Sequence, residues 1–210
     1  TWDELEGWED DAKYYKDMVE YHDKTIGRIV EKLDQLNLRE DTLIIYLGDN
    51  GSPIEVSSFM GDKEIPGGKG KTIDTGTHVP LICNWKNNIP ESVVSSDLVD
   101  STDFLPTIFE AAGIEYPENY IVDGRSFYPQ LIGENGSPRD WIFFHFDAGG
   151  RNKKPLQRFI RNHSWKLYED GRMYNMTNDL YEEIPILPEK DSEESKSNRK
   201  VLEPLFGELK

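Results

Sequence analysis

Thr42-Leu-Ile-Ile-Tyr-Leu-Gly-Asp-Asn-Gly51 begins as a continuous apolar, β-branched run and ends on an acid and an amide held between two glycines. The run predicts a strand buried on both faces. Ahead of it, Met18, His22, Ile26, Ile29, Val30, Leu33 and Leu36 recur at steps of three and four between Tyr14 and Leu36, which puts them on one face of a helix of about six turns with charge opposite. Asn37 to Asp41 interrupts that pattern. A helix feeding a buried strand predicts an α/β fold built on a parallel sheet.

Asp49-Asn50-Gly51 falls just beyond the carboxyl end of the predicted strand, and in open α/β sheets ligands bind in the crevice outside those ends. The tripeptide is also an ordinary turn sequence. Residues 48 to 78 carry Gly48, Gly51, Gly61, Gly67, Gly68, Gly70 and Gly76 with few apolar positions, so they read as one long irregular loop, a type of segment that often carries function. Within it Gly67-Gly-Lys-Gly-Lys71 allows close backbone approach and offers a lysine point charge to a tetrahedral anion, although a flexible surface loop would look the same. Lys69 and Lys71 stand two residues apart, so in an extended segment both point the same way and spacing does not choose between them.

A second buried strand is expected at Val79 to Cys83, followed by a helix capped by Ser101 or Thr102, tolerant of Pro106 near its first turn and ending at Gly113. Beyond about residue 140 the pattern shifts to short strands at Trp141 to Phe146, Gln157 to Arg161, Trp165 to Glu169 and Met173 to Met176, with Asp170-Gly171 as a turn. These predict a small antiparallel sheet. Residues 188 to 200, rich in Glu, Lys and Ser, read as a solvated connector to a terminal helix with Val201, Leu202, Leu205 and Leu209 on one side. The expected division is therefore 1–140, an α/β portion, and 141–210, an antiparallel β subdomain with a terminal helix.

The chain has 210 residues, 36% hydrophobic and 30% charged, a composition that folds. Forty acidic against 24 basic residues give a formal charge of −16, a field that repels nucleic acid and anionic lipid. Any anionic substrate must then be held by local cations or a metal. No run nears the roughly 20 apolar residues that cross a bilayer, and the amino terminus has neither the basic nor the apolar region of an export signal. Because the sequence starts at Thr1 without methionine, it reads as a fragment or a processed chain. Cys83 is the one cysteine, so no internal disulfide forms, and its apolar setting suits a buried structural thiol.

The order Leu-Gly-Asp-Asn-Gly51, Gly67-Gly-Lys-Gly70 and Gly76-Thr-His-Val-Pro-Leu81 resembles the sulfatase family. Asp103-Phe-Leu-Pro-Thr-Ile108 with Ala111-Ala-Gly113, Asp123-Gly-Arg-Ser126 and Trp165-Lys-Leu-Tyr168 extend the resemblance over nearly the whole chain as that family's carboxyl-terminal half. It implies part of an alkaline-phosphatase-like sheet with helices, followed by the small antiparallel sheet and terminal helix. It also implies that Asp49 and Asn50 ligate a divalent cation, usually calcium, and that Lys69 contacts the sulfate as the catalytic cation. A carboxylate and an amide oxygen are hard donors suited to calcium or magnesium. His78 stands where the family often has a basic residue, so it joins Lys69 as a substrate-binding candidate, although Asp74-Thr-Gly-Thr-His78 departs from the usual Glu-Gly-Gly version and also permits a structural role.

The family's nucleophile is a formylglycine made from Cys or Ser in a Cys/Ser-x-Pro-x-Arg segment, and neither Cys83 nor any serine here sits in one. The resemblance therefore implies that the nucleophile and further ligands belong to an amino-terminal part, without which the chain is inactive. It also implies a sulfate ester substrate, with sulfated glycans among the candidates, no nucleic-acid or membrane partner, and a periplasmic or secreted location. Two other readings stay open. One is a phosphatase, phosphodiesterase or phosphonate hydrolase of the same superfamily, for which four histidines and no Asp-His pair after the strand give little support. The other is a non-catalytic relative that binds sulfated glycans.

Overall fold

The computed structural model describes residues 11–117, 119–147, 149 and 156–208. They belong to two compact units, Thr1–Asn88 and Ile89–Lys210.

The first unit opens with helix α1, Asp11–Gln35, followed by a single 3-10 turn at Arg39–Asp41 and strand β1, Ile44–Leu47. Leu36, Asn37 and Leu38 close the helix through bonds to Lys32, Asp34 and Leu33, with Asn37 in the left-handed region at φ 55°. Strand β4, Leu81–Asn84, pairs with β1 antiparallel, Ile44 opposite Asn84 and Leu47 opposite Leu81. The expected parallel pairing is therefore corrected. A parallel neighbour needs a long crossover, usually a helix, whereas the chain between β1 and β4 returns through a hairpin and one helical turn. The predicted burial on both faces also differs: Leu47 is 42% and Ile82 59% exposed, and among the described residues this sheet has two strands. The apolar side chains of α1 are open too, with Met18 at 51% and Ile29 at 57%.

Residues 48–78 are not irregular throughout. Strands β2, Ser57–Met60, and β3, Lys63–Pro66, form an antiparallel hairpin across Gly61-Asp62, where Gly61 takes φ +62°. Helix α2, Asp74–Thr77, adds one turn before β4.

In the second unit, helix α3, Phe104–Ala111, follows a 3-10 turn at Ser101–Asp103. The cap is Asp100, not Ser101 or Thr102. Its carboxylate accepts from Thr102 N at 2.9 Å, while Asp103 accepts from Asp100 N at 2.8 Å, a reciprocal capping box. Gly113 ends the helix at φ +65°, as expected. The short helix α4, Tyr128–Leu131, leads to β5, Ile142–Phe146, β6, Gln157–Arg161, β7, Trp165–Tyr168, and β8, Met173–Asn175. They form one antiparallel sheet in the order β5-β6-β7-β8, within a residue or so of the sequence expectation, and Gly171 makes the predicted turn at φ +92°.

Both faces of this sheet are covered. Ile160, Trp165, Leu167 and Met173 pack with Leu202 on one side, and Phe159, Tyr168, Tyr174 and Met176 gather separately. Lys166 is wholly buried, its ammonium 3.8 Å from the Phe159 ring centre and 2.5 Å from Glu182. Removing one partner of such a pair typically costs about 3–5 kcal/mol.

Helix α5, Glu193–Leu202, replaces the expected solvated connector, and a 3-10 segment at Glu203–Gly207 follows; Leu209 lies outside the described residues. Its buried face is Ser195, Arg199 and Leu202, two of them polar, which is why composition suggested a solvated stretch. Arg199 is satisfied by Asp191, by Gly171 O at 2.7 Å and by Ile186 O at 3.0 Å. The Arg199 hydrogen bond holds the Asp191 carboxyl below its ordinary 3.8, with Ser195, Arg199 and Lys196 adding to it and desolvation opposing. A carboxyl lowered by folding contributes stability that is full above 3.8 and lost as pH falls through its lowered value. Thermal unfolding should therefore show the native chain more stable than Asp191→Asn at neutral pH, with the gap shrinking once pH drops below 3.8. A gap that grows on acidification would contradict this.

Candidate active site

β1 delivers Asp49 and Asn50 past its carboxyl end, where both side chains are exposed. Four backbone bonds fix what surrounds them. Gly48 N donates to Pro80 O at 3.0 Å, Gly51 N to Gly76 O at 3.1 Å, Lys69 N to Ser52 O at 3.0 Å, and His78 N to Asp74 O at 2.8 Å. The Asp49-Asn50 turn, the Lys69 turn and the α2 turn bearing His78 are thus tied to one another. Ser52 also exchanges a 2.8 Å hydrogen bond with the Tyr15 hydroxyl, which anchors the loop to α1.

Glycine is required here because backbones touch. A Cβ on Gly51 would overlap Thr75 O, one on Gly67 would overlap Pro53 O, and one on Gly76 would overlap the carbonyl oxygens of Lys71 and Gly68. These obstacles are backbone, not flexible side-chain ends. Gly76→Ala should therefore unpick the Gly51–Gly76 contact, with a loss of several kcal/mol in chemical denaturation or loss of soluble protein. A Gly76→Ala chain as stable as the native one would show that the loop can spread.

Lys69 and Lys71 do not lie in an extended segment. Lys71 N donates to Gly68 O at 2.9 Å and Gly70 has φ +75°, so Lys69 and Gly70 are the central pair of a tight turn. Lys69 occupies the corner and Lys71 leaves it, so the two-residue alternation does not apply. Both are exposed. His78 is 78% exposed in its side chain, with Nδ1 3.9 Å from the carboxylate of Asp74, a buried residue one helical turn earlier.

The donors present suit part of a hard-cation site. Asn50 Nδ2 donates to Gly51 O at 2.9 Å, which leaves the amide oxygen as an acceptor beside the Asp49 carboxylate. Calcium takes 6–8 oxygens, and among the described residues no group of three or more His, Cys, Asp or Glu could hold a metal, so these two donors by themselves fall short of a coordination shell. Burial pushes the Cys83 thiol up to about 11, which keeps it protonated and unreactive at neutral pH.

A sulfatase family profile matches residues 3–114, and a second, for the carboxyl-terminal region of N-sulphoglucosamine sulphohydrolase, matches 69–200. The chain belongs to the sulfatase family. It is 33% identical over 138 residues to the steryl-sulfatase of Homo sapiens, covering 63% of this chain and 24% of that protein. It is 31% identical over 208 residues to a sulfatase of Formosa agariphila, covering 86% and 36%. The structure of BT4656 in complex with its substrate D-glucosamine-2-N,6-O-disulfate superposes with a TM-score of 0.70 at 24% identity, over 89% of this chain and 37% of that one. The chain thus spans between about a quarter and just over a third of such relatives. That structural likeness carries the fold, an alkaline-phosphatase-like sheet portion with helices, then the four-stranded sheet and terminal helix.

The sequence did not point to Tyr15, Ser52 or the contact between Gly51 and Gly76. In the sequence Asp103 and Asp123-Gly-Arg-Ser126 read as separate features, whereas the buried Asp103 carboxylate binds Arg125 N at 2.6 Å and Arg139 Nε at 2.6 and 2.8 Å. Desolvation alone would lower the Arg139 pKa; the hydrogen bond and charge of Asp103 outweigh it and hold the guanidinium above its ordinary value. Gly124 lets that turn press against Thr102 O. The signal was an Asp at a helix start with an arginine 36 residues on, which no periodicity reveals.

Proposed function

We propose that this chain is the carboxyl-terminal part of an enzyme that hydrolyses sulfate esters by metal-assisted attack of a formylglycine nucleophile lying outside these 210 residues. The observation that carries the proposal is the convergence of the Asp49-Asn50 turn and the Lys69 turn through Gly51–Gly76 and Ser52–Lys69. In this reading Asp49 and Asn50 hold oxygen donors toward a divalent cation, calcium by family resemblance, which when bound would neutralise charge on the ester oxygens. Lys69 meets a sulfate oxygen from the turn corner, and His78, braced by Asp74, lies at the rim toward the substrate. In a chain of formal charge −16, such local cations must offset a field that opposes an anionic ester.

The substrate class best supported is a sulfated sugar, given relatives such as BT4656 with its disulfated glucosamine and the N-acetylgalactosamine-6-sulfatase of Canis lupus familiaris. Need for an amino-terminal part is supported by the exposed apolar surface of α1 and of the two-stranded sheet, where Met18, Ile29, Leu47 and Ile82 are each more than 40% exposed. Turnover of 4-nitrophenyl sulfate tests the proposal. The complete enzyme should hydrolyse it and the purified 210-residue chain should not, because nucleophilic catalysis requires the activated group. Hydrolysis by the purified chain alone, with contamination excluded, would refute it.

A further inference from the structure

Asp49-Asn50-Gly51-Ser52-Pro53 in the site has a near copy in the second unit, Glu134-Asn135-Gly136-Ser137-Pro138, which differs by one methylene in its first residue. Asparagine before glycine is the sequence most prone to deamidation, because no Cβ keeps the glycine amide nitrogen from the asparagine side-chain carbonyl. That nitrogen loses its proton and bonds to Cγ, the Cγ–Nδ2 bond breaks, and ammonia leaves with the proton. Water then opens the resulting succinimide at either ring carbonyl, giving aspartate or isoaspartate. By sequence the two asparagines are equally labile, and both are exposed.

What holds the reacting atoms differs. Gly51 N donates to Gly76 O at 3.1 Å and Asn50 Nδ2 to Gly51 O at 2.9 Å, so the nucleophile and the leaving group are both engaged. Gly51 is also wedged so closely that an added Cβ would stand 1.9 Å from Thr75 O, and the rotation that would swing its nitrogen onto Cγ meets backbone. In the second copy Glu134 N donates to Pro129 O at 2.8 Å, and the chain is next tied where Arg139 bridges to Leu98. Among the described residues no hydrogen bond holds the Gly136 N–H or the Asn135 side chain. Gly136 lies against side chains, Pro129 and the end of Gln130, whose buried Oε1 has no hydrogen-bond partner.

We infer that Asn135 is a site of spontaneous deamidation, and that the Gly51–Gly76 and Asn50–Gly51 hydrogen bonds keep the same reaction from Asn50. The guarded position is the one where the change would matter. In the sulfatase reading, aspartate at position 50 puts a second carboxylate where an amide oxygen serves. Isoaspartate there adds a methylene to the backbone between Gly48 and Gly51, which are pinned by bonds to Pro80 O and Gly76 O.

The test ages the complete enzyme in mildly alkaline buffer with a chelator present, so that no bound cation shields Asn50, beside a sample kept in denaturant. Peptide mass spectrometry reads the replacement of NH2 by OH at each asparagine over time. In denaturant the two should convert at similar rates. In the folded enzyme Asn50 should convert at least about tenfold more slowly than Asn135, since two hydrogen bonds must open first. Equal rates in the folded enzyme would overturn the inference, and so would a difference that persists in denaturant, which traces it to sequence. A folded enzyme unchanged at both asparagines while the denatured one changes at both would overturn it too, by showing Asn135 held. None of these outcomes bears on whether sulfate esters are hydrolysed.

Discussion

Lys69→Ala in the complete enzyme should lower kcat/KM for a sulfate ester a hundredfold to a thousandfold, about 2.7–4 kcal/mol, the range for removing one preorganised charge that meets the transition state. The size of the effect follows from the turn. Gly70 at φ +75° and the Lys71 N to Gly68 O bond hold Lys69 at the corner, so the backbone from which its charge reaches out is set before the substrate arrives. Lys71→Ala is the control, because it changes the same net charge at the position where the chain leaves the turn. It should cost less than tenfold. A larger loss for Lys71→Ala than for Lys69→Ala would reverse the assignment.

Asp49→Ala should abolish both activity and the bound cation in the complete enzyme. Asp49 is the charged member of the donor pair, and a calcium shell built from fewer carboxylates loses affinity steeply. Metal content by elemental analysis reads the effect apart from turnover. Asn50→Ala should weaken the cation less, since it removes a neutral donor, although the Asn50 Nδ2 bond to Gly51 O goes with it. Full retention of metal and activity in the Asp49→Ala enzyme would remove Asp49 from the site.

The helix before β1 and the four late strands were legible because their patterns are local: three- and four-residue steps from Met18 to Leu36, and short β-rich runs divided by turns such as Asp170-Gly171. The β2–β3 hairpin carried a signal too, two short runs across Gly61-Asp62, hidden by the glycines around it. Strand direction was not legible, since Thr42 to Leu47 reads the same whichever way its neighbour runs. Helix α5 escaped because its inner face carries Ser195 and Arg199, and a buried arginine makes sense only beside Asp191 and two carbonyls that the sequence keeps apart. In the site, the motif residues stood out while their supports did not. Nothing in the spacing of Tyr15, Ser52 and Lys69 says that a hydroxyl and a carbonyl of one serine hold the helix and the lysine turn together.

The most direct test of the central claim sets two esters side by side: kcat/KM of the complete enzyme for 4-nitrophenyl sulfate and for 4-nitrophenyl phosphate. A monoanionic ester held by Lys69 and one hard cation predicts that sulfate is the better substrate and that Lys69→Ala removes most of the preference. Efficient phosphate hydrolysis with no measurable sulfate hydrolysis would contradict the account and favour a phosphatase on the same fold.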